Sequence, residues 1–149
     1  MYKHILLPHD GSELSANALK QAIDLAKSVG AKLTALHVVQ PFHLHIRGTS
    51  APPDMRGKIE HDHDNEALED ARKMLAGVLH QTKAAGVACD SLAVLGEHPY
   101  TSIIEQAANS GCDLILMASH GRRGLEGLLL GSETVKVLTH SRIPVLVVR

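Results

Sequence analysis

Ile5-Leu6-Leu7-Pro8-His9-Asp10-Gly11-Ser12 decides the fold. Three consecutive aliphatic residues read as a strand buried on both faces, because a strand with one wet face would alternate. Pro8, Asp10 and Gly11 stop it with turn chemistry, and Ser12 followed by Glu13 opens a helix as N-cap and first-turn acid. Leu14, Ala18, Ala22, Ala26 and Val29 keep one stripe of that helix apolar until Gly30 ends it. A doubly buried strand that turns directly into a helix is the opening of a parallel α/β sheet.

The rest of the chain repeats the alternation. Leu33 to Val39 is a second strand; a long helix from around Glu60 carries Leu68, Ala71, Leu75, Val78 and Leu79 on one face and stops at Gly86. Val87 to Leu95 is a third strand. Pro99 opens a helix in the first turn, where proline is tolerated, and Ile103, Ile104, Ala107 and Ala108 carry it to Gly111. Leu114 to Ala118 is a fourth strand, a short helix follows Ser132, and Ile143 to Val148 is the last strand. With right-handed crossovers, these elements predict a doubly wound five-stranded parallel sheet with helices on both faces. The whole chain, 1–149, reads as a single domain interrupted by one long flexible loop at 41–58, where Pro41, Pro52 and Pro53 cluster with Gly48 and Gly57.

Composition removes several classes of function. The 149 residues carry 15 Lys+Arg against 16 Asp+Glu, so there is no basic excess for non-specific nucleic-acid binding. Tyr2, Phe42 and Tyr100 are the only aromatic residues, which leaves no platform for stacking bases. No apolar run reaches the roughly 18 residues of a membrane helix. Met1 to Leu7 is too short for a secretory signal, and the expected location is cytoplasmic. Cys89 and Cys112 stand apart and read as small core thiols.

Ligands of doubly wound sheets bind at the carboxyl ends of the strands where the winding reverses. The two most polar strand ends are Pro8-His9-Asp10-Gly11 and the stretch from Ala118-Ser119-His120-Gly121-Arg122 to Gly131-Ser132-Glu133-Thr134. Glycines in the second let the backbone approach a ligand, and Gly131-Ser132 opens a helix whose first N–H groups favour an anion. Arg122 and Arg123 add positive charge, and Ser132 and Thr134 add hydroxyls. This is the composition of a phosphate cradle; a plain surface loop is the alternative. Neither a G-x-x-x-x-G-K-[ST] loop nor a G-x-G-x-x-G after the first strand is present.

In these residues the chain resembles the universal stress protein family, whose signature is G-x2-G-x9-G-[ST]. Ala118-Ser119-His120-Gly121, nine residues, and Gly131-Ser132 follow it with alanine at the first glycine. The opening Ile5 to Ser12, the strand end Leu36-His37-Val38 and the terminal Pro144-Val145-Leu146-Val147-Val148 are similar to that family too. The resemblance implies strand order 3-2-1-4-5, an adenine nucleotide alpha hydrolase-like fold, and ATP binding, with Mg²⁺ accompanying the nucleotide. Carried over by position, Pro8 and Asp10 border the adenosine with His9 beside them in the nucleotide-binding set, and Val38 meets the adenine through its backbone. Gly121, Arg122, Gly131, Ser132 and Thr134 hold the phosphates, with Ser119 and His120 in the turn before them, and Met117, Ala118, Gly124 and Glu133 complete the nucleotide-binding set. Ala118 adds a methyl group that would weaken binding, and Glu133 is expected to point away from the triphosphate.

The function so implied is an ATP-binding signalling or stress-response module, at most a slow ATPase. The alternative is a dimeric interaction protein of the same fold that binds no nucleotide. No catalytic residue and no metal site is assigned: Asp10, His120 and Ser132 lack the nucleophile elbow of a hydrolase. His43, His45, His61 and His63 read as a solvated loop and helix start, because His61 and His63 would not share a helix face. The apolar strand Val145 to Val148 would lie at the sheet edge, where pairing with a second copy covers it; a homodimer is expected there.

Overall fold

The computed structural model describes residues 1–44, 52–121 and 130–149. Its elements run β1 (His4–Pro8), α1 (Glu13–Val29), β2 (Lys32–Val39), α2 (Pro53–Ala84), β3 (Cys89–Leu95), α3 (Pro99–Asn109), β4 (Leu114–Ala118), α4 (Ser132–His140) and β5 (Val145–Val148). All described strand pairs are parallel, and the sheet order is β3-β2-β1-β4-β5, as the resemblance implies.

The central strands alternate between two cores. Ile5, Leu7, Leu33, Ala35, Leu114 and Leu116 face α1 and α2, where they meet Ala18, Leu19, Ala22, Leu75 and Val78. Leu6, Leu36, Ile115 and Met117 face α3 and α4, where they meet Ile103, Ala107 and Val137. Consecutive aliphatic residues in β1 and β4 are therefore both buried, one on each side of the sheet. That explains why these strands show no polar alternation in sequence.

Local chemistry sets the helix ends. Ser12 Oγ accepts from Ser15 N at 3.2 Å, and α1 stops at Gly30, whose φ of 69° suits a residue without Cβ. α2 begins at Pro53, earlier than the Glu60 expected, so residues 53–58 belong to a helix and not to the loop expected at 41–58. Proline at the first helical position is pre-set for the helix and forfeits no bond there. The following turns are mostly exposed, so they carry no apolar stripe to betray them. β3 and β5 each begin two residues later than the sequence pattern predicts.

The N-terminus is pinned by Asp113, whose carboxylate accepts from the backbone N–H of Lys3 and of His4 at 2.9–3.1 Å. Burial works against ionisation of Asp113, but the His4 and Lys3 amides outweigh it and hold the carboxyl below its usual range. His4 is buried, with Nε2 at 2.7 Å from Thr34 Oγ1. Burial, and then the charge of Lys32, lower its pKa from 6.5. Folded His4 thus binds a proton less readily than unfolded His4, and acid favours unfolding. Stability from this residue is full above pH 6.5 and declines as pH falls below that value. His4→Gln, which keeps a donor toward Thr34, is expected to flatten this part of the stability–pH curve. Denaturant melts of both proteins across that range check it.

Candidate functional site

A cleft of about 720 Å³ opens at the carboxyl ends of β1, β2 and β4, where the chain winds to opposite sides of the sheet. That volume lies within the ordinary range of small-molecule sites.

The β1 side is held by backbone bonds. His9 N donates to Leu36 O at 2.8 Å, and the His37 ring donates through Nδ1 to His9 O at 2.7 Å. Gly11 N donates to His9 Nδ1 at 3.2 Å, and Ser12 N donates to Asp10 Oδ1 at 3.0 Å. Gly11 has φ of 77°, which lets the chain reverse into α1. Pro8, His9, Asp10 and Val38 all line the cleft.

The β4 side is organised around the carbonyl of Ser119. Ser119 N donates to Val148 O at 2.7 Å, which extends the strand pairing past β4. Ser119 O accepts from Gly131 N at 2.8 Å and from Thr134 Oγ1 at 3.1 Å; Thr134 Oγ1 also lies 3.2 Å from Ala118 O. A Cβ on Gly131 would stand 3.1 Å from Ser119 O and 3.4 Å from His120 Cα, so any side chain there would have to push this approach apart by a few tenths of an ångström. The two loops also meet each other: a Cβ on Gly121 would lie 2.7 Å from Asp10 Oδ2.

Most of the expected site residues therefore converge. Met117, Ala118, His120, Gly121, Gly131, Ser132, Glu133 and Thr134 line the cleft with the β1 group. Ser119 is buried behind the lining and acts as scaffold. Arg122 and Gly124 lie outside the described residues. Ala118 is 7% exposed and belongs to the core beneath α1, so its methyl group is absorbed largely by packing. Glu133 sits at the rim with its carboxylate turned to other work. Its Oε2 accepts from Tyr100 N at 2.9 Å and its Oε1 from Lys136 Nζ at 3.0 Å. α3 has no side-chain cap of its own at His98, and Glu133 supplies the missing acceptor at its positive end.

Sequence reasoning missed the wall across from the loops. Ala67, Asp70, Ala71 and Met74 of α2 and Pro99 and Ile103 of α3 also line the cleft. Ala71 stands on the apolar stripe of α2, but periodicity does not reveal where along the sheet a helix lies. Gly96 was overlooked too: a Cβ there would collide with Ser102 Oγ and press on Val38 Cγ1 at 3.2 Å.

The other sequence clusters stand apart from the cleft or are tied elsewhere. His43 Nε2 is 2.7 Å from Glu97 Oε1, and His63 stacks on Phe42 at 4.3 Å between centroids. Among the described residues no set of three His, Cys, Asp or Glu is arranged to hold a metal; His45 lies outside them. Burial pushes the Cys112 thiol up to about 11 and raises that of Cys89, so both stay protonated near neutrality. No described helix is long and apolar enough to cross a membrane.

The profile of the universal stress protein family matches residues 1–149. The chain belongs to the universal stress protein family. Universal stress protein YxiE of Bacillus subtilis is 34% identical over 152 residues, spanning 100% of both chains. Universal stress protein MJ0577 of Methanocaldococcus jannaschii is 30% identical over 156 residues, covering 100% of this chain and 96% of that one. Its solved structure superposes with a TM-score of 0.84 over 99% of this chain and 96% of that chain. A universal stress protein solved in complex with cAMP is 25% identical, with a TM-score of 0.69 over 99% of this chain and 97% of that chain. Five parallel strands in the order 3-2-1-4-5 are thus this universal stress protein's fold by geometry and by kinship.

The cap from Glu133 to α3 carries its own test. Glu133→Gln keeps an acceptor for Tyr100 N but loses the charge; Glu133→Ala loses both. Alanine is expected to cost about 1 kcal/mol and glutamine about half of that, by analogy with helix caps and dipole effects. Equilibrium unfolding in urea measures both.

Proposed function

We propose that this universal stress protein binds ATP in the cleft between β1 and β4 and acts as a nucleotide-dependent stress-response module in the cytoplasm. The carrying observation is the cradle at Ser119. The strand end and the start of α4 are stitched together by Gly131 N and Thr134 Oγ1, and no side chain caps α4 at Gly131. The first N–H groups of such a helix lack internal partners and favour an anion. A further feature fits a phosphate-bearing ligand: His120 Nε2 is buried without a partner.

In this reading Pro8, His9, Asp10 and the backbone at Val38 hold the nucleoside. Ser132, Thr134 and the glycines Gly121 and Gly131 hold the phosphates, with Arg122 and Gly124 expected alongside. ATP supplies a magnesium-bound polyanion whose charge these groups recognise. The protein's share is to bind and orient it. The sequence has no Walker-type lysine to drive turnover, so hydrolysis would be slow. A solved relative with cAMP supports an adenine nucleotide as the ligand class.

Saturating Mg-ATP, at 100 times its Kd, is expected to stabilise the fold by about 2.7 kcal/mol. The melting temperature would then rise by roughly 5–10 °C. Gly131→Val should lose this shift, because its side chain pushes Ser119 and His120 out of place. A folded wild-type protein with no shift, or a Gly131→Val variant that responds equally, would favour the interaction-protein alternative.

The homodimer belongs to the same proposal. Leu146 on the edge strand β5 and Val135 and Leu138 on the adjacent α4 are all more than 40% exposed. Pairing of β5 with its copy would cover an apolar edge. Light scattering at micromolar concentration is expected to show a dimer for the parent and a monomer for Leu146→Lys. A variant that remains dimeric excludes this edge as the contact.

A further inference from the structure

His120 has a polar atom for which the fold supplies no partner. Its ring lines the cleft, Nδ1 lies 3.0 Å from Ser119 Oγ, and Nε2 is buried without a hydrogen bond. Among the described residues it is the one buried side-chain nitrogen or oxygen in that condition. Buried polar atoms left unmatched are costly and rare, and they often mark where a ligand or water belongs.

Ser119 selects which ring nitrogen carries the proton. The residue is 3% exposed, and its hydroxyl hydrogen needs an acceptor. The Nδ1 lone pair provides one, which leaves the ring proton on Nε2. With Nδ1 protonated instead, the hydroxyl must turn its hydrogen away from the ring, an arrangement that a bound anion would have to offset. Cδ2, bonded to Nε2, lies 3.7 Å from where a Cβ of Gly131 would stand. The N–H edge of the ring is therefore beside the open end of α4.

We propose that Ser119 and His120 form a proton-coupled receptor for the phosphate chain. Nε2–H donates to a phosphate oxygen, and the ring takes up one proton from solvent as the anion binds. The added proton resides on Nδ1, the serine hydroxyl rotates to accept it, and no bond of the nucleotide changes. A serine suits this role because its oxygen is both donor and acceptor. An anion within hydrogen-bond reach favours the imidazolium form. The inference rests on the nucleotide reading of the cleft and deepens it: His120 distinguishes phosphate-bearing nucleotides from the uncharged nucleoside.

The other titratable groups facing the cleft are His9 and Asp10 after β1, His37 on β2, Asp70 on α2 and Glu133 on α4. Each already has a partner in place. His9 Nδ1 accepts from Gly11 N, His37 Nδ1 donates to His9 O, and Asp10 accepts from Ser12 N. Asp70 lies 3.7 Å from Lys73 Nζ, and Glu133 holds Tyr100 N and Lys136. These groups share the cleft with His120, so the comparison of His120→Gln with the parent assigns the proton.

The test is calorimetry of the full chain with Mg-ATP and with adenosine, in HEPES and in Tris, whose ionisation enthalpies differ. Wild-type protein should take up as much as one proton with ATP and none with adenosine. Its ATP affinity should rise as pH falls, and that of His120→Gln should not. His120→Gln keeps an N–H donor and should bind ATP with no uptake beyond that of the nucleotide itself. His120→Ala should weaken ATP about tenfold, the effect of losing a charge-assisted hydrogen bond, and leave adenosine unchanged. Ring ¹H–¹⁵N correlation spectra should show the Nε2–H tautomer in the free protein and the imidazolium with ATP. Uptake unchanged in His120→Gln, equal loss of ATP and adenosine binding in His120→Ala, or an Nδ1–H ring in the free protein would each overturn the inference while leaving nucleotide binding intact. No heat with either ligand would remove the nucleotide reading, and this inference with it. The wild-type buffer comparison and the ring spectra need no variant to fold.

Discussion

The carbonyl of Ser119 is the point on which the functional end of the molecule hangs. It accepts both Gly131 N and Thr134 Oγ1, and so it returns the chain to the end of β4 after the loop. From α4 Val137 reaches the core beside Leu6 and Ile115, and Glu133 reaches across to cap α3. One backbone oxygen thus orients a strand end, a helix start and the neighbouring helix. Glycine at 131 suits it, since a Cβ there would stand 3.1 Å from the same oxygen.

The sheet was legible in the chain because its strands are buried on both faces. Ile5-Leu6-Leu7 and Leu114 to Met117 need unbroken apolar runs to serve two cores, and an unbroken run bounded by turn residues is what a reader can see. Caps were legible for the same local reason: Ser12 and Gly30 act within a few residues of themselves. The start of α2 was not. Its first turns are mostly exposed and meet little of the sheet, so the pattern there is polar and carries prolines that also suit a loop. The far wall of the cleft was hidden for a different cause. Ala67, Asp70 and Met74 become lining residues only through the packing of α2 on the sheet, which sequence spacing does not contain. Glu133 shows both sides. Its carboxylate meets Lys136 one turn on, which spacing suggests, and Tyr100 N, which only tertiary packing supplies.

The scarcity of aromatic residues has a structural counterpart. Tyr2 packs against the core on the α1 side, Phe42 stacks on His63, and Tyr100 lies near His140 and under Lys136. None of the three lines the cleft. An adenine ring bound there would rest on Pro8, Val38, Val39 and Met74, and on backbone groups. Recognition of this kind is shape and hydrogen bonding, with little stacking, which leaves the phosphate end to supply much of the affinity. Of the eleven histidines, His9, His37 and His120 surround that cleft, and His4 is buried at the opposite end of β1.

The central claim is that nucleotide and clasp occupy the same place. Amide ¹H–¹⁵N spectra recorded during a titration with Mg-ATP test it residue by residue. The account expects the largest changes at Asp10, Val38, Gly121, Gly131, Ser132 and Thr134, with β3 and the far ends of α1 and α3 unmoved. Saturable changes centred elsewhere, or none at these amides while ATP is in excess, would contradict it.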